Sequence, residues 1–232
     1  MKAGGGLFVD RVHRLPRRWS NQELRRFASL FHGEIVNVSA WKDVDKEGRH
    51  YRDYFSNATS YTITNYKAEF RGLQGAEGEI YLDLEQDLPA ELVARWDVVF
   101  NHTTLEHVYD FRSAFDNLCR MTRDVLIVVV PFLQPYHSDY GDYWRFSPLA
   151  IKRMLEERGV RPLYVSFNGH LASAVYVFAI GSRQPERWAA RIAAPFGVVE
   201  PTGAGKEPFI GCNALPGFGG ALRYLLRRLC RS

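Results

Sequence analysis

Cysteine is scarce in this chain, and what there is does not pair by spacing. Cys119, Cys212 and Cys230 are odd in number and form no Cys-x-x-Cys motif, which argues against a disulfide framework or a zinc ribbon. Long apolar runs are lacking too. The two longest, Val125 to Phe132 and Ala172 to Gly181, fall short of the roughly 20 residues that span a bilayer. No apolar segment of signal-peptide length stands before Asp10 and Arg11. No repeat of fixed period is found, and the one biased tract is the Gly/Pro-rich stretch 195–220, which reads as a linker. A reducing, cytoplasmic setting is expected.

What remains is enough for a sizeable core: 232 residues, 46% hydrophobic and 24% charged. The net charge of +4 is unevenly spread. Residues 1–33 carry seven Lys/Arg against Asp10 and Glu23, and residues 183–232 carry eight against three acids, so the body between them is acidic. Basic ends suit anionic partners, or simply solubilise. The expected organisation is a basic N-terminal segment with a helix (1–33), a central domain (34–182), and a linker with a basic amphipathic helix (183–232).

Strands alternate with helices along that central domain. Ser20 reads as the N-cap of a helix from Asn21 to Phe31, with Glu23 completing a capping box and Leu24, Phe27, Ala28, Leu30 and Phe31 as its apolar face. Buried or half-buried strands are expected at Glu34–Ala40, Ser60–Asn65 and Glu79–Glu85, from Trp96 up to the turn that bears His102, and at Asp124–Phe132. Short helices are expected at Tyr51–Phe55 and from Pro89 towards Trp96, and an amphipathic one from Asp110 to Arg123. Ser147-Pro148 suits N-cap then N1 of a helix Leu149–Arg158 that stops at Gly159. Arg161–Phe167 and Ala174–Ile180 should form a closing antiparallel pair. Such alternation argues an α/β doubly wound, mostly parallel sheet, whose ligands sit at the carboxyl ends of the strands.

Five β-α steps, a terminal antiparallel hairpin and the run Asp97 to Val108, an Asp-led apolar strand ending in Leu105-Glu106-His107, together resemble the class I S-adenosylmethionine (SAM)-dependent methyltransferases. The resemblance covers about residues 33–182. Pro131-Phe132 through His137, Tyr140, Tyr143 and Arg145-Phe146 is similar to a subset associated with bacterial surface-polysaccharide loci. It implies a Rossmann-like seven-stranded sheet of order 3-2-1-4-5-7-6, the last strand antiparallel, with SAM over strands 1 to 4. The family's Gly-x-Gly-x-Gly turn is here Asn37-Val38-Ser39-Ala40-Trp41-Lys42-Asp43, with no glycine. Asn65 stands for the ribose-binding acid at the end of strand 2, and Asp83 matches the carboxylate near adenine. The implied cofactor contacts are Asn37, Ser39, Trp41, Asn65, Asp83, Leu84 and Asn101.

Methyl transfer needs an aligned acceptor and often a base, for which a histidine of near-neutral pKa is usual. His102, just past strand 4, and His137, in the loop after strand 5, are the candidates. Thr103 or Thr104 is expected to cap the element that follows. Tyr140, Asp142, Tyr143, Trp144 and Arg145 would frame the acceptor, because aromatic faces beside carboxylates and Arg suit a sugar; Glu106 and His107 would join them or, by analogy with the fold, fix the helix start and the shape of the turn. His137, Asp139 and Asp142 are spaced too loosely for a magnesium site, and no metal is expected. Gly203-Ala-Gly-Lys206 lacks the spacing of a phosphate loop. No nucleic-acid recognition motif accompanies the basic ends.

From Phe218 onward, Leu222, Leu225, Leu226 and Leu229 recur at helical spacing among four arginines. A helix of that kind docks on an anionic membrane surface or a partner protein. The expected activity is SAM-dependent O-methyl transfer to a glycan or lipid-linked saccharide, at the inner membrane face. The competing expectation is a catalytically inactive scaffold of the same fold that partners another glycan-pathway enzyme.

Overall fold

The structure is a computed structural model and describes residues 14–70, 72–137, 141–168 and 174–192. Its elements in chain order are α1 (Arg14–Phe27), β1 (Gly33–Val38), β2 (Ala58–Asn65), β3 (Ile80–Tyr81), β4 (Trp96–His102), α2 (Phe111–Met121), β5 (Thr122–Leu133), α3 (Pro148–Glu156), β6 (Arg161–Phe167) and β7 (Val175–Ser182). They build one seven-stranded sheet of order β3-β2-β1-β4-β5-β7-β6. Strands β1 to β5 pair parallel, and β7 runs antiparallel to both β5 and β6. This is the expected sheet order.

The β-branched run of β5 explains why the sheet is covered twice. Val125, Ile127 and Val129 face one side and Leu126, Val128 and Val130 the other, all within 1% exposure. On one face Val36, Val99, Leu126 and Val128 pack against Phe115 and Leu118 of α2 and Ile151 and Leu155 of α3. On the other, Ile35, Phe100 and Ile127 pack against Leu24 and Phe27 of α1 together with Tyr51, Tyr54 and Phe55. The described part of the basic N-terminal segment therefore belongs to the core.

Caps that depend on neighbouring residues alone form as expected. Ser147 Oγ accepts from the Ala150 amide at 3.1 Å with Pro148 at the first helical position, and Gly159 takes a left-handed φ of 67° where α3 ends. Other expectations fail for tertiary reasons. The first helix starts at Arg14, so Ser20 lies inside α1: its hydroxyl bonds the Arg17 carbonyl and His102 instead of capping. Glu23 closes no capping box, because its carboxylate accepts from Arg26 on the next turn of α1 and from Tyr164 and Ser166 of β6.

Three connections are thinner than expected. Tyr51–Tyr54 is a 3-10 turn, and the helix expected from Pro89 is only a turn at Ala90–Leu92. Strand β3 shrinks from seven residues to two, since Asp83 Oδ1 accepts from the Glu85 amide and Asn117 Nδ2 takes the carbonyls of Leu84 and Gln86. Only α2 and α3 separate consecutive strands as α-helices, so the expected fivefold alternation is incomplete. The stretches 195–220 and 218–232 lie outside the described residues.

Candidate functional site

The turn after β1 leaves the strand in an unusual conformation. Ser39, Trp41 and Asp43 have φ of 59°, 51° and 55°, a left-handed setting that costs a non-glycine residue about 1–3 kcal/mol each. The surroundings hold it there. Asn65, buried at the end of β2, accepts from the Trp41 amide at 2.6 Å and donates to the Trp41 carbonyl at 3.0 Å. Its second N–H goes to Glu79. The Asp43 carboxylate, also buried, accepts from Asn37 Nδ2 at 2.8 Å, the Tyr61 hydroxyl at 2.7 Å and the Arg52 amide at 3.2 Å. Burial and this carboxylate push the Tyr61 hydroxyl well above its ordinary pKa.

These bonds reassign two expected ligand contacts. Asn65 spends both amide hydrogens, and Asn37 one on Asp43, on holding the turn rather than on presenting donors at its rim. Leu84 is a core residue, while Asp83 is half-buried beside it. The Trp41 indole is exposed, with the Lys42 ammonium 5.4 Å from its centre. Asn101 is fully buried between β1 and β5; its Nδ2 donates to the Val38 carbonyl at 3.0 Å, and its Oδ1 has no partner.

His102 is not placed as a general base. Arg17 Nη1 donates to Nδ1 at 3.0 Å, and Ser20 Oγ, itself donating to the Arg17 carbonyl, lies 2.9 Å from Nε2. That fixes the neutral tautomer with hydrogen on Nε2, both nitrogens engaged beneath α1. Burial, then the Arg17 charge, push its pKa well below the usual range. Thr103, at φ 50°, adds its Oγ1 at 3.2 Å from Nδ1, and neither Thr103 nor Thr104 caps the next turn through its side chain. Sequence reasoning missed Arg17 and Ser20, because Ser20 reads as a helix N-cap and Arg17 lies in a basic stretch with little pattern.

A depressed histidine stabilises the fold fully above its unfolded pKa of about 6.5 and loses that contribution as pH falls towards the folded value. The groups facing it are Arg17, Ser20, Thr103 and the rings of Tyr51 and Phe100. Between pH 6.5 and 5 the unfolding free energy of the wild type should therefore fall more steeply than that of His102→Gln, by up to about 1.4 kcal/mol per pH unit. Urea titrations at several pH values check this; identical slopes would refute it.

The loop after β5 is folded upon itself. Arg145 grips Asp142 through two parallel bonds, Nη1 to Oδ1 at 2.5 Å and Nη2 to Oδ2 at 2.7 Å. Its remaining donors go to the carbonyls of Gln134, Trp144 and Pro135. All five N–H groups are used, so Arg145 is not placed to bind an acceptor anion. Burial would raise the Asp142 carboxyl, but Arg145 and the His137 amide hold it below the usual range. The Trp144 indole N–H donates to the Tyr109 carbonyl and its ring meets Phe111 edge-on at 4.8 Å, which makes it packing rather than a sugar platform. Tyr143 is exposed. Asp139 and Tyr140 lie outside the described residues.

The same loop is sewn to the turn after β4. The amides of Tyr143 and Trp144 both donate to the Glu106 carbonyl, at 2.7 and 3.3 Å. This brings His137 against His107, ring centres 5.1 Å apart, with Glu106 beside them. The Glu106 side chain is buried, and burial pushes its carboxyl up to about 7 against the pull of Arg17 and Arg145. Its Oε2 has no partner. Burial likewise lowers the His107 imidazole. His137 was expected to act on an acceptor, and Glu106 and His107 to meet it or to shape the turn; the structure brings the three to one another.

No protein-family model matches the chain, and no curated protein matches it. Solved structures do match in shape. The chain is similar to a Bacillus halodurans C-125 protein described as a methyltransferase, at 12% identity and TM-score 0.53, over 70% of this chain and 97% of that one. It is similar at 10% identity and TM-score 0.52, over 75% and 93%, to a structure from Haloferax volcanii of the Trm112 methyltransferase activator with a methyltransferase. A third is the N-methyltransferase NodS from Bradyrhizobium japonicum WM9 with bound S-adenosyl-L-homocysteine, at 17% identity and TM-score 0.50, over 72% and 86%. Identities this low show the fold, and the fold is the Rossmann-like sheet of the methyltransferases.

Proposed function

We propose that the chain is a SAM-dependent methyltransferase whose acceptor is a glycan or lipid-linked saccharide. The observation that carries the first half is the turn after β1. Left-handed residues at 39, 41 and 43 stand at the spacing of the family's three glycines, so the backbone keeps the course that glycine makes easy although the side chains differ. The cofactor would be held by the turn at Ser39 and Trp41, by Asp83, and by the unpartnered Oδ1 of Asn101 at the carboxyl end of β4. Asn37 and Asn65 serve it indirectly, by fixing that turn. When bound, SAM supplies an electrophilic methyl group; the protein's part is to align the acceptor with it and to exclude water.

The acceptor class is supported by where the exposed rings fall. Trp41, Tyr81, Tyr109, Tyr136 and Tyr143 are the large exposed aromatics among the described residues; Tyr81 ends β3 and the others follow the carboxyl ends of β1, β4 and β5. A rim of rings with polar neighbours stacks on the C–H faces of a sugar. The basic stretch 217–232 is proposed to bring the enzyme to an anionic membrane surface on the cytoplasmic side or to a partner protein. Liposome co-sedimentation that does not change on truncation at Gly217 would refute the membrane role. Among the described residues no helix is long and apolar enough to cross a bilayer.

Calorimetric titration with SAM and with S-adenosylhomocysteine tests the reading. Saturable binding of both is expected. Ser39→Val, which puts a β-branched residue at φ 59°, should weaken it about tenfold or more while leaving the far-ultraviolet spectrum intact. No heat from either ligand at millimolar concentration would favour the inactive scaffold.

A further inference from the structure

We propose that Glu106, His107 and His137 bind a first-row divalent cation, Zn2+ by the chemistry of its donors. One carboxylate oxygen and one nitrogen from each ring lie within 4.8 Å of one another. Four tetrahedral ligands at bonds of roughly 2.0–2.1 Å stand about 3.4 Å apart, so the cluster needs to draw in by little more than an ångström. The residues come from two segments of the chain, two from the turn after β4 and one from the loop after β5.

The second observation is the orphaned oxygen. Glu106 is 1% exposed and its Oε2 has no hydrogen-bond partner, an arrangement that is costly for a carboxylate unless a cation or proton completes it. The ring tautomers agree. A backbone carbonyl can only accept, so the bond between His107 Nδ1 and the Gly141 carbonyl places hydrogen on Nδ1 and the lone pair on Nε2, which lies 3.8 Å from Glu106 Oε1. His137 Nδ1 lies 3.2 Å from Asp142 Oδ2, and donation to that carboxylate would leave the lone pair on Nε2. A histidine ligand oriented through its other nitrogen by a carbonyl or carboxylate is the usual outer shell of a metal site.

Gln134 stands next to the same atoms. Its amide nitrogen is 3.4 Å from His137 Nε2, while its buried Oε1 is unpartnered. Amide oxygen and nitrogen are assigned from their bonds, and turning the amide over would offer the site a further oxygen. Arg145 does not repel a cation strongly, since Asp142 neutralises it at 2.5 Å.

Two imidazoles and one carboxylate favour zinc, cobalt or manganese over magnesium, which prefers oxygen. Three protein ligands also leave a coordination position open. The binding itself does not depend on the methyltransferase reading. Its purpose does rest on that reading: the open position would seat an acceptor hydroxyl.

The test uses the full chain, stripped with a chelator and titrated with Zn2+ by calorimetry, with Co2+ by visible absorption, and with Mg2+ for contrast. One equivalent of Zn2+ is expected, bound more tightly than Mg2+. His107→Ala, His137→Ala and Glu106→Gln should each weaken binding at least tenfold, whereas the exposed His50→Ala should not change it. X-ray absorption at the zinc edge of the wild type should show imidazole scattering, a readout that needs no variant to fold. Absence of binding at millimolar Zn2+, binding unaffected by both histidine substitutions, tighter Mg2+ binding, or a spectrum without imidazole would each overturn the proposal. Zinc binding without SAM binding would sink only the methyltransferase reading, and the converse only this one.

Discussion

Replacing Asp43 with alanine should lower the thermal midpoint by about 6–12 °C and abolish SAM binding with it. The carboxylate is a buried acceptor for three donors, the Asn37 amide, the Tyr61 hydroxyl and the Arg52 backbone N–H. Removing it strands all three. A buried polar group left unsatisfied costs about 1–3 kcal/mol, and a loss of at least about 3 kcal/mol at about 2–4 °C per kcal/mol gives the stated range. The backbone of Asp43 also accepts from the Tyr51 amide at 2.9 Å, so the turn after β1 and the 51–54 turn loosen together. Thermal denaturation by circular dichroism reads the first effect. A shift under 3 °C would mean that water re-satisfies the donors and that the turn is not held by this residue.

Phe100→Ala should cost about 3–5 kcal/mol, the range for a large ring deleted from a closed core. Phe100 is 0% exposed, and its ring lies 5.2 Å from Tyr51, 5.8 Å from Phe55 and 6.0 Å from His102. It carries an unusual share of this face because only a 3-10 turn, not an α-helix, joins β1 to β2 there. The aromatic turn covers the sheet in the helix's stead, and Phe100 is the surface it rests on. Urea denaturation should show a lower midpoint, with exchange of the amides in 51–55 accelerated more than exchange in α3. Uniform acceleration across both would contradict the idea that this turn depends on Phe100.

Much of the sheet could be read from the chain because the signals are local. The β-branched run of β5, the β-branched and aromatic content of β2, the Ser147-Pro148 start and the Gly159 stop of α3 each rest on residues a few positions apart. The site was less legible, since its side chains are claimed by partners far along the chain. Arg145 reads as an anion binder until its five donors are counted, and His102 reads as a base until Arg17, 85 residues earlier, is found on its ring. Strand β3 was overestimated because its apolar pattern continues to Leu84, whose carbonyl is taken by Asn117, 33 residues away, instead of a neighbouring strand.

Periodicity and caps are properties of neighbours, and by themselves they determined a mostly parallel α/β chain; its strand order was implied only by the family resemblance of the Asp97 to Val108 run. Which polar groups are spent and which are left over was decided only by the tertiary structure. Every buried donor must find an acceptor, and that accounting closes across the sheet rather than along the chain. It consumes Arg145, His102 and Asn65, and leaves Glu106 Oε2 and Asn101 Oδ1 unclaimed.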